Sequence, residues 1–225
     1  MNTEDSENKS RKDPSLPEGT FTYRSGISTF KYIGQFKSKD YIGDPIKHGE
    51  GKLYDPSGEV VYDGEFKDDL EHGWGEEVYT DGIYFGQFQK GQRHGHGQYN
   101  FNNGDKYKGG WEEGNFSGEG EYIFLSGNVC KGTWFNHEKH GRFVETFNEE
   151  PFVSNVGKLV RLECNYEYGT RTGRGSGVTK RGRRIEVNFD EFGDPRNNLG
   201  SWFVEYIVPH LPVIIIIIII LYFIF

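Results

Sequence analysis

Tyr84-Phe85-Gly86-Gln87-Phe88, then Lys90-Gly91, then Gly95-His96-Gly97-Gln98-Tyr99-Asn100-Phe101 is the stretch on which the fold turns. Successive side chains of a strand point to opposite faces, so Tyr84, Gly86 and Phe88 share one face. Gly95, Gly97, Tyr99 and Phe101 do the same. A glycine placed among aromatics leaves room for a ring to lie flat over the backbone. Lys90-Gly91 and Asn103-Gly104 supply the positive-φ positions that tight turns need. The stretch reads as a β-hairpin.

The hairpin recurs. Tyr32-Ile33-Gly34-Gln35-Phe36, Tyr62-Asp63-Gly64-Glu65-Phe66, Tyr107-Lys108-Gly109-Gly110-Trp111 and Cys130-Lys131-Gly132-Thr133-Trp134 repeat the same pentad. The last four copies start at 62, 84, 107 and 130, and each is followed ten residues on by His72-Gly73, His94-Gly95, Ser117-Gly118 or His140-Gly141. In the first copy His48-Gly49 comes six residues late, so Lys37–Lys47 is expected to hold a longer loop. A seven-residue glycine step also recurs, as Gly51 to Gly58, Gly75 to Gly82, Gly97 to Gly104 and Gly120 to Gly127, with Gly19 to Gly26 as a half-unit ahead of them. Phe143 stands where the fifth copy should have its glycine. Hairpins stacked edge to edge, each packing on its neighbours, predict an all-β fold. The expected form is an elongated single-layer antiparallel sheet of about eleven strands.

The pattern Tyr-x-Gly-x-Trp/Phe, turn, His-Gly-x-Gly, turn glycine, at 22–23 residues over about residues 19–150, resembles the MORN repeat family. Cys130 for Tyr, Ser117 for His, the first-copy insertion and Phe143 depart from it; two of these four fall in the fifth copy and weaken it most, as suits a cap. The resemblance implies a small, non-enzymatic repeat scaffold that binds protein partners in a ciliary, flagellar or other cytoskeletal assembly. The partner segment, helical or extended, would cross the aromatic face. Its alternative is a membrane tether, since junctophilin-like proteins join such repeats to a C-terminal anchor. MORN arrays also accompany lipid kinases and methyltransferases, but no such catalytic domain is recognisable here.

Glycine at 32 residues of 225 and aromatics at 16%, against 34% hydrophobic residues overall, favour turns and ring packing over a thick aliphatic core. The formal charge of -8 is uneven, because residues 31–150 hold 13 Lys/Arg against 22 Asp/Glu. Such a block repels nucleic acid and anionic membrane. Two cysteines, Cys130 and Cys164, point to a reducing, cytoplasmic setting with packed thiols, and no secretory leader follows Met1. Residues 1–18 read as a disordered leader and 19–152 as the repeat array. Residues 153–203 form a small β extension, with strands expected at Leu159–Cys164 and Arg184–Phe189 and an SH3-like or Tudor-like look. Residues 204–225 make a hydrophobic, helix-compatible tail ending in a poly-Ile run. Thirteen apolar residues from Val213 reach about 20 Å as a helix, short of a bilayer core of about 30 Å. A tail anchor and a misjudged gene end stay open together.

No phosphate loop, nucleophile elbow or clustered carboxylate pair marks a catalytic centre, and no cofactor, small-molecule substrate or nucleic-acid partner is expected. His48, His72, His94 and His140 recur one hairpin apart, roughly 10 Å, too far to share an ion, and read as turn residues. The expected partner-binding residues are exposed rings: Tyr62, Phe66, Tyr84, Phe88, Tyr107 and Trp111. The segment from Gly169 to Arg184 holds Arg171, Arg174, Lys180, Arg181, Arg183 and Arg184 with no acid. It is expected as a flexible loop able to contact anions or lipid head groups.

Overall fold

The structure is a computed structural model and describes residues 12–39, 45–148, 152–153 and 157–193. Among them every regular element is a strand. The chain divides into two compact units. One runs to Leu125 and includes Thr133–Glu138; the other holds Ser126–Gly132 and the residues from Lys139 onward.

The first unit is built from β1 (Glu18–Ser25), β2 (Ser28–Lys39), β3 (Pro45–Tyr54), β4 (Val60–Lys67), β5 (Leu70–Tyr79), β6 (Gly82–Gln89), β7 (Gln92–Phe101), β8 (Lys106–Glu112) and β9 (Asn115–Ile123). Each pairs antiparallel with the next in chain order. The glycines of the repeat fall into one register row: Gly19, Gly34, Gly51, Gly64, Gly75, Gly86, Gly97, Gly109 and Gly120 are successive cross-strand partners. Two positions along lies a second row on the same face: Phe21, Tyr32, Leu53, Tyr62, Glu77, Tyr84, Tyr99, Tyr107 and Tyr122. Each pentad tyrosine bends over the glycine row. A Cβ added at Gly97 would sit 2.3 Å from the Tyr84 hydroxyl, and Gly51, Gly75 and Gly120 are covered in the same way by Tyr32, Tyr62 and Tyr107. The hydroxyl then donates to its own strand three residues on, from Tyr84 to Gln87 O at 2.9 Å and from Tyr107 to Gly110 O at 3.0 Å.

The turns follow from local chemistry. Lys90-Gly91, Glu113-Gly114 and Asp68-Asp69 each place two residues at positive φ, the geometry that suits a two-residue hairpin to strand twist. The His-Gly pairs are not turn residues as expected. They lie inside β3, β5 and β7, where Gly49, Gly73 and Gly95 take positive φ beside a register shift. The fourth pentad residue fills the bulge. The Gln87 carboxamide oxygen accepts the His96 N–H at 2.8 Å, and Glu65 accepts that of Trp74 at 2.9 Å.

Residues 12–17, placed in the disordered leader by composition, are tied down. Asp13 N–H donates to the Gln35 side chain, which donates back to Asp13 O at 2.6 Å, and Phe36 N–H reaches Pro17 O. Residues 1–11 and the apolar tail 204–225 lie outside the described residues. Among the described residues no helix is long and apolar enough to cross a membrane.

The second unit holds most of the last repeat, β10 (Val129–Phe135) and β11 (Glu138–Thr146), with β12 (Phe152–Val153), β13 (Gly157–Glu167), β14 (Thr170–Thr179) and β15 (Arg184–Asn188). The order β11-β13-β14-β15 is an antiparallel run, with β12 beside β13. It is open: among the described residues no strand closes it into the barrel suggested by the turns. The basic segment 169–184 is not a loop. Gly169 closes the Tyr168–Gly169 turn, and β14 occupies most of the rest because Thr170, Thr172, Val178 and Thr179 suit a strand.

Candidate functional site

The six rings expected to be exposed are buried. Tyr62, Phe66, Tyr84, Phe88, Tyr107 and Trp111 are all at 3% exposure or less. Each fifth-position ring packs edge-on against the tyrosine of its own pentad and that of the preceding one: Phe88 stands 5.0 Å from Tyr84 and 5.2 Å from Tyr62, and Trp111 stands 5.4 Å from Tyr107 and 5.0 Å from Tyr84. Edge-to-face pairs at this spacing are favourable beyond their buried area. These rings are the core of a sheet on which, among the described residues, no second layer packs.

Sequence reasoning also missed the residue before each His-Gly pair. The Arg93 guanidinium lies 4.5 Å from the Trp111 ring, 4.9 Å from Tyr79 and 5.3 Å from Tyr99, while Nη2 donates to Gly114 O at 2.8 Å. Lys47, at the same repeat position, lies 4.5 Å over Tyr23, and its burial lowers the ammonium's pKa. Cations over rings are strengthened where water is excluded. Near Arg93, Glu77 occupies a slot in the tyrosine row and takes a hydrogen bond from the Tyr79 hydroxyl. Burial pushes the Glu77 carboxyl up, against the opposing pulls of that hydroxyl and of Arg93. The signal was legible as a charged residue inside the aromatic register, once the register was known.

The basic set separates. Arg171 is locked inward, its Nη2 2.8 Å from the buried Glu145 and its Nε 2.8 Å from the Tyr166 hydroxyl. Lys139 completes the group at 2.6 Å from Glu145. Burial would raise the Glu145 pKa, but Arg171, Lys139 and the Tyr166 hydroxyl overcome it and hold the carboxyl down at about 2. An Arg171 spent in this way is withdrawn from the expected anion contact. Arg174 is exposed at the rim of a cavity of 640 Å³ that also meets Asp190 and Glu191, a mixed-charge setting. Lys180, Arg181, Arg183 and Arg184 remain together and exposed at the β14–β15 turn. Cys130 and Cys164 are buried free thiols raised by burial, Cys164 to about 11, and so are poor nucleophiles near neutrality. Among the described residues no three His, Cys, Asp or Glu side chains gather as a metal group, and no buried side-chain polar atom lacks a partner.

One exposed apolar cluster lies on the opposite face of β5 and β6. Trp74 and Val78 on β5 and Ile83 and Phe85 on β6 point away from the glycine row. Val78 and Ile83 are direct cross-strand partners, and the Trp74 and Phe85 ring centroids are 5.9 Å apart. Phe85 is 52% exposed, Val78 45% and Ile83 39%. The ring positions expected to bind were the first and fifth of the pentad, whereas in the third pentad the exposed ring is the second, Phe85.

The repeat register agrees with the comparisons. The MORN repeat model matches residues 46–60, 62–83, 84–106, 107–129 and 130–147. No curated protein is matched by the sequence. Among solved structures, one similar chain is the TCP domain of Drosophila melanogaster SAS-4 (dCPAP) in complex with a proline-rich motif of Ana2 (dSTIL). It is 10% identical with a TM-score of 0.38, covering 78% of this chain and 93% of that one. Five consecutive copies, with their glycines in one register row as far as the fourth, make this chain a MORN-repeat protein.

Proposed function

We propose that the chain is a non-enzymatic repeat scaffold that holds protein partners. The observation that carries this reading is how the two faces of the first unit are used. On the glycine face the pentad tyrosines, the fifth-position rings and Arg93 are committed to one another. The half-buried Glu77 and the buried Glu145 are likewise held by neighbouring side chains. The opposite face presents an exposed apolar cluster, a feature that marks protein contact on an otherwise polar surface. A ciliary, flagellar or other cytoskeletal setting belongs to the proposal through the family resemblance.

The second reading is a membrane tether, favoured by the four exposed cations of the β14–β15 turn together with the apolar run after Val213. One comparison separates the two. If a chain ending at Val204 still reaches its cellular structure and keeps its partners in a pull-down, the scaffold reading holds. If that chain turns diffuse and loses every partner while the full-length protein floats with membranes, the tether reading replaces it.

A further inference from the structure

We infer that the outward face of β5 and β6 is a docking site for a basic partner segment that carries apolar anchors. This deepens the scaffold reading and rests on it. The repeats serve as their own control. At the second pentad position, where the first copy has Ile33 and the second, fourth and fifth have Asp63, Lys108 and Lys131, the third copy has Phe85. At the residue between the paired glycines, where other copies have Glu50, His96 and Glu119, the second has Trp74. Neither ring is required by the repeat, because every other copy folds into the same register without an aromatic there. The two departures nevertheless meet across one hairpin, 5.9 Å apart, and join the Val78–Ile83 pair into a single cluster. Aromatic side chains in such a cluster are the residue types that anchor protein interfaces.

The surroundings select the partner's charge. Of the acids in residues 61–90, Asp63 and Glu76 are cross-strand partners on the outward face, whereas Glu77 lies in the tyrosine row on the other face and Asp81 is bonded to the Tyr99 hydroxyl. Glu76 is exposed on the outward face, directly between Asp63 on β4 and Phe85 on β6. Like charges directly opposite each other weaken a sheet; here the two carboxylates share one cation, Lys52, which is 2.6 Å from Asp63 and is also stabilised by Glu76. A pair of carboxylates that share one cation beside an apolar centre is complementary to Lys or Arg flanking apolar side chains, and it repels acidic segments.

The test is selection of a random 15-residue peptide library on the full-length protein, followed by titration of the enriched peptides. Enriched sequences are expected to place apolar residues next to Lys or Arg. Their binding should weaken at least tenfold in Phe85→Asp, which copies the second repeat and so keeps the fold, and should fall as salt rises. Glu76→Lys should weaken the same peptides while leaving the β-sheet spectrum unchanged. Enrichment of acidic peptides, binding indifferent to both substitutions, or no binder at all would overturn the inference. So would sedimentation showing that Phe85→Asp converts a dimer into a monomer, since the cluster would then belong to a second copy. The scaffold reading is judged separately, by the chain ending at Val204.

Discussion

The third and fifth repeats solve the same packing problem with opposite strands. In the third, Tyr84 supplies a ring that lies over Gly97 on the neighbouring strand. In the fifth, Cys130 stands in the tyrosine slot and Phe143 in the glycine slot, and the ring of Phe143 lies over Gly132 instead. A Cβ at Gly132 would come within 2.7 Å of that ring. The two departures are therefore one compensated exchange of volume. The difference extends one step further, to a pair of carboxylates at the same repeat position, two residues beyond that glycine slot. Glu77 sits among rings with Tyr79 and Arg93 nearby and is pushed up by burial, whereas Glu145 faces Lys139 and Arg171 and is held down. The smaller thiol at position 130 accompanies this, with Lys139 Nζ at 3.1 Å from its sulfur. The register thus specifies that a ring must cover a glycine, without specifying which strand carries it.

The largest break in this comparison should come from Glu145→Gln. It leaves two cations facing each other in a partly enclosed site, for a loss of about 3 kcal/mol by denaturant titration at pH 7. Because the Glu145 pKa is depressed to about 2 from 4.5, its contribution is complete above 4.5 and is lost as pH falls toward 2. The variant and the parent should therefore converge in stability at pH 2. A constant gap from pH 7 to pH 2 would show that the ion pairs are not its source.

Gly97→Val should follow, at about 1–3 kcal/mol, because a side chain there displaces the Tyr84 ring. An equally stable variant would contradict the ring-over-glycine packing. The exchange in the fifth repeat is sharpened by a double-mutant cycle. Cys130→Tyr overfills its slot and Phe143→Gly empties the other, so each alone should destabilise. The double variant should recover about 1 kcal/mol or more of their sum. Strict additivity would show that the two sites are not coupled.

The smallest effect is expected at Glu77→Gln, with the opposite pH sign. A raised carboxyl contributes stability below its unfolded value of 4.5, and that contribution is lost as pH rises through its folded pKa. Removing the charge should leave the protein slightly more stable than the parent at pH 7 and level with it at pH 4. A less stable variant at pH 7 would mean that the Tyr79 and Arg93 contacts outweigh the cost of burial.

Periodicity by itself determined the all-β fold, the repeat unit, its family and the eleven strands up to Thr146, because a glycine and a ring at fixed spacing leave a strand few alternatives. It also marked Cys130 and Phe143 as departures, though as weakness and not as an exchange. Tertiary structure decided which rings were exposed. Tyr62, Phe66, Tyr84, Phe88, Tyr107 and Trp111 alternate correctly in the sequence, but alternation shows only that two faces differ, not which one is covered. A single-layer sheet has to build its core from one of its own faces, and the largest rings occupy it. The ties of Arg171 to Glu145 and of Gln35 to Asp13 span 26 and 22 residues, beyond the reach of any local pattern. The meeting of Trp74 with Phe85 needed the β5–β6 register, which aligns two positions that are eleven residues apart and unremarkable when each is read alone.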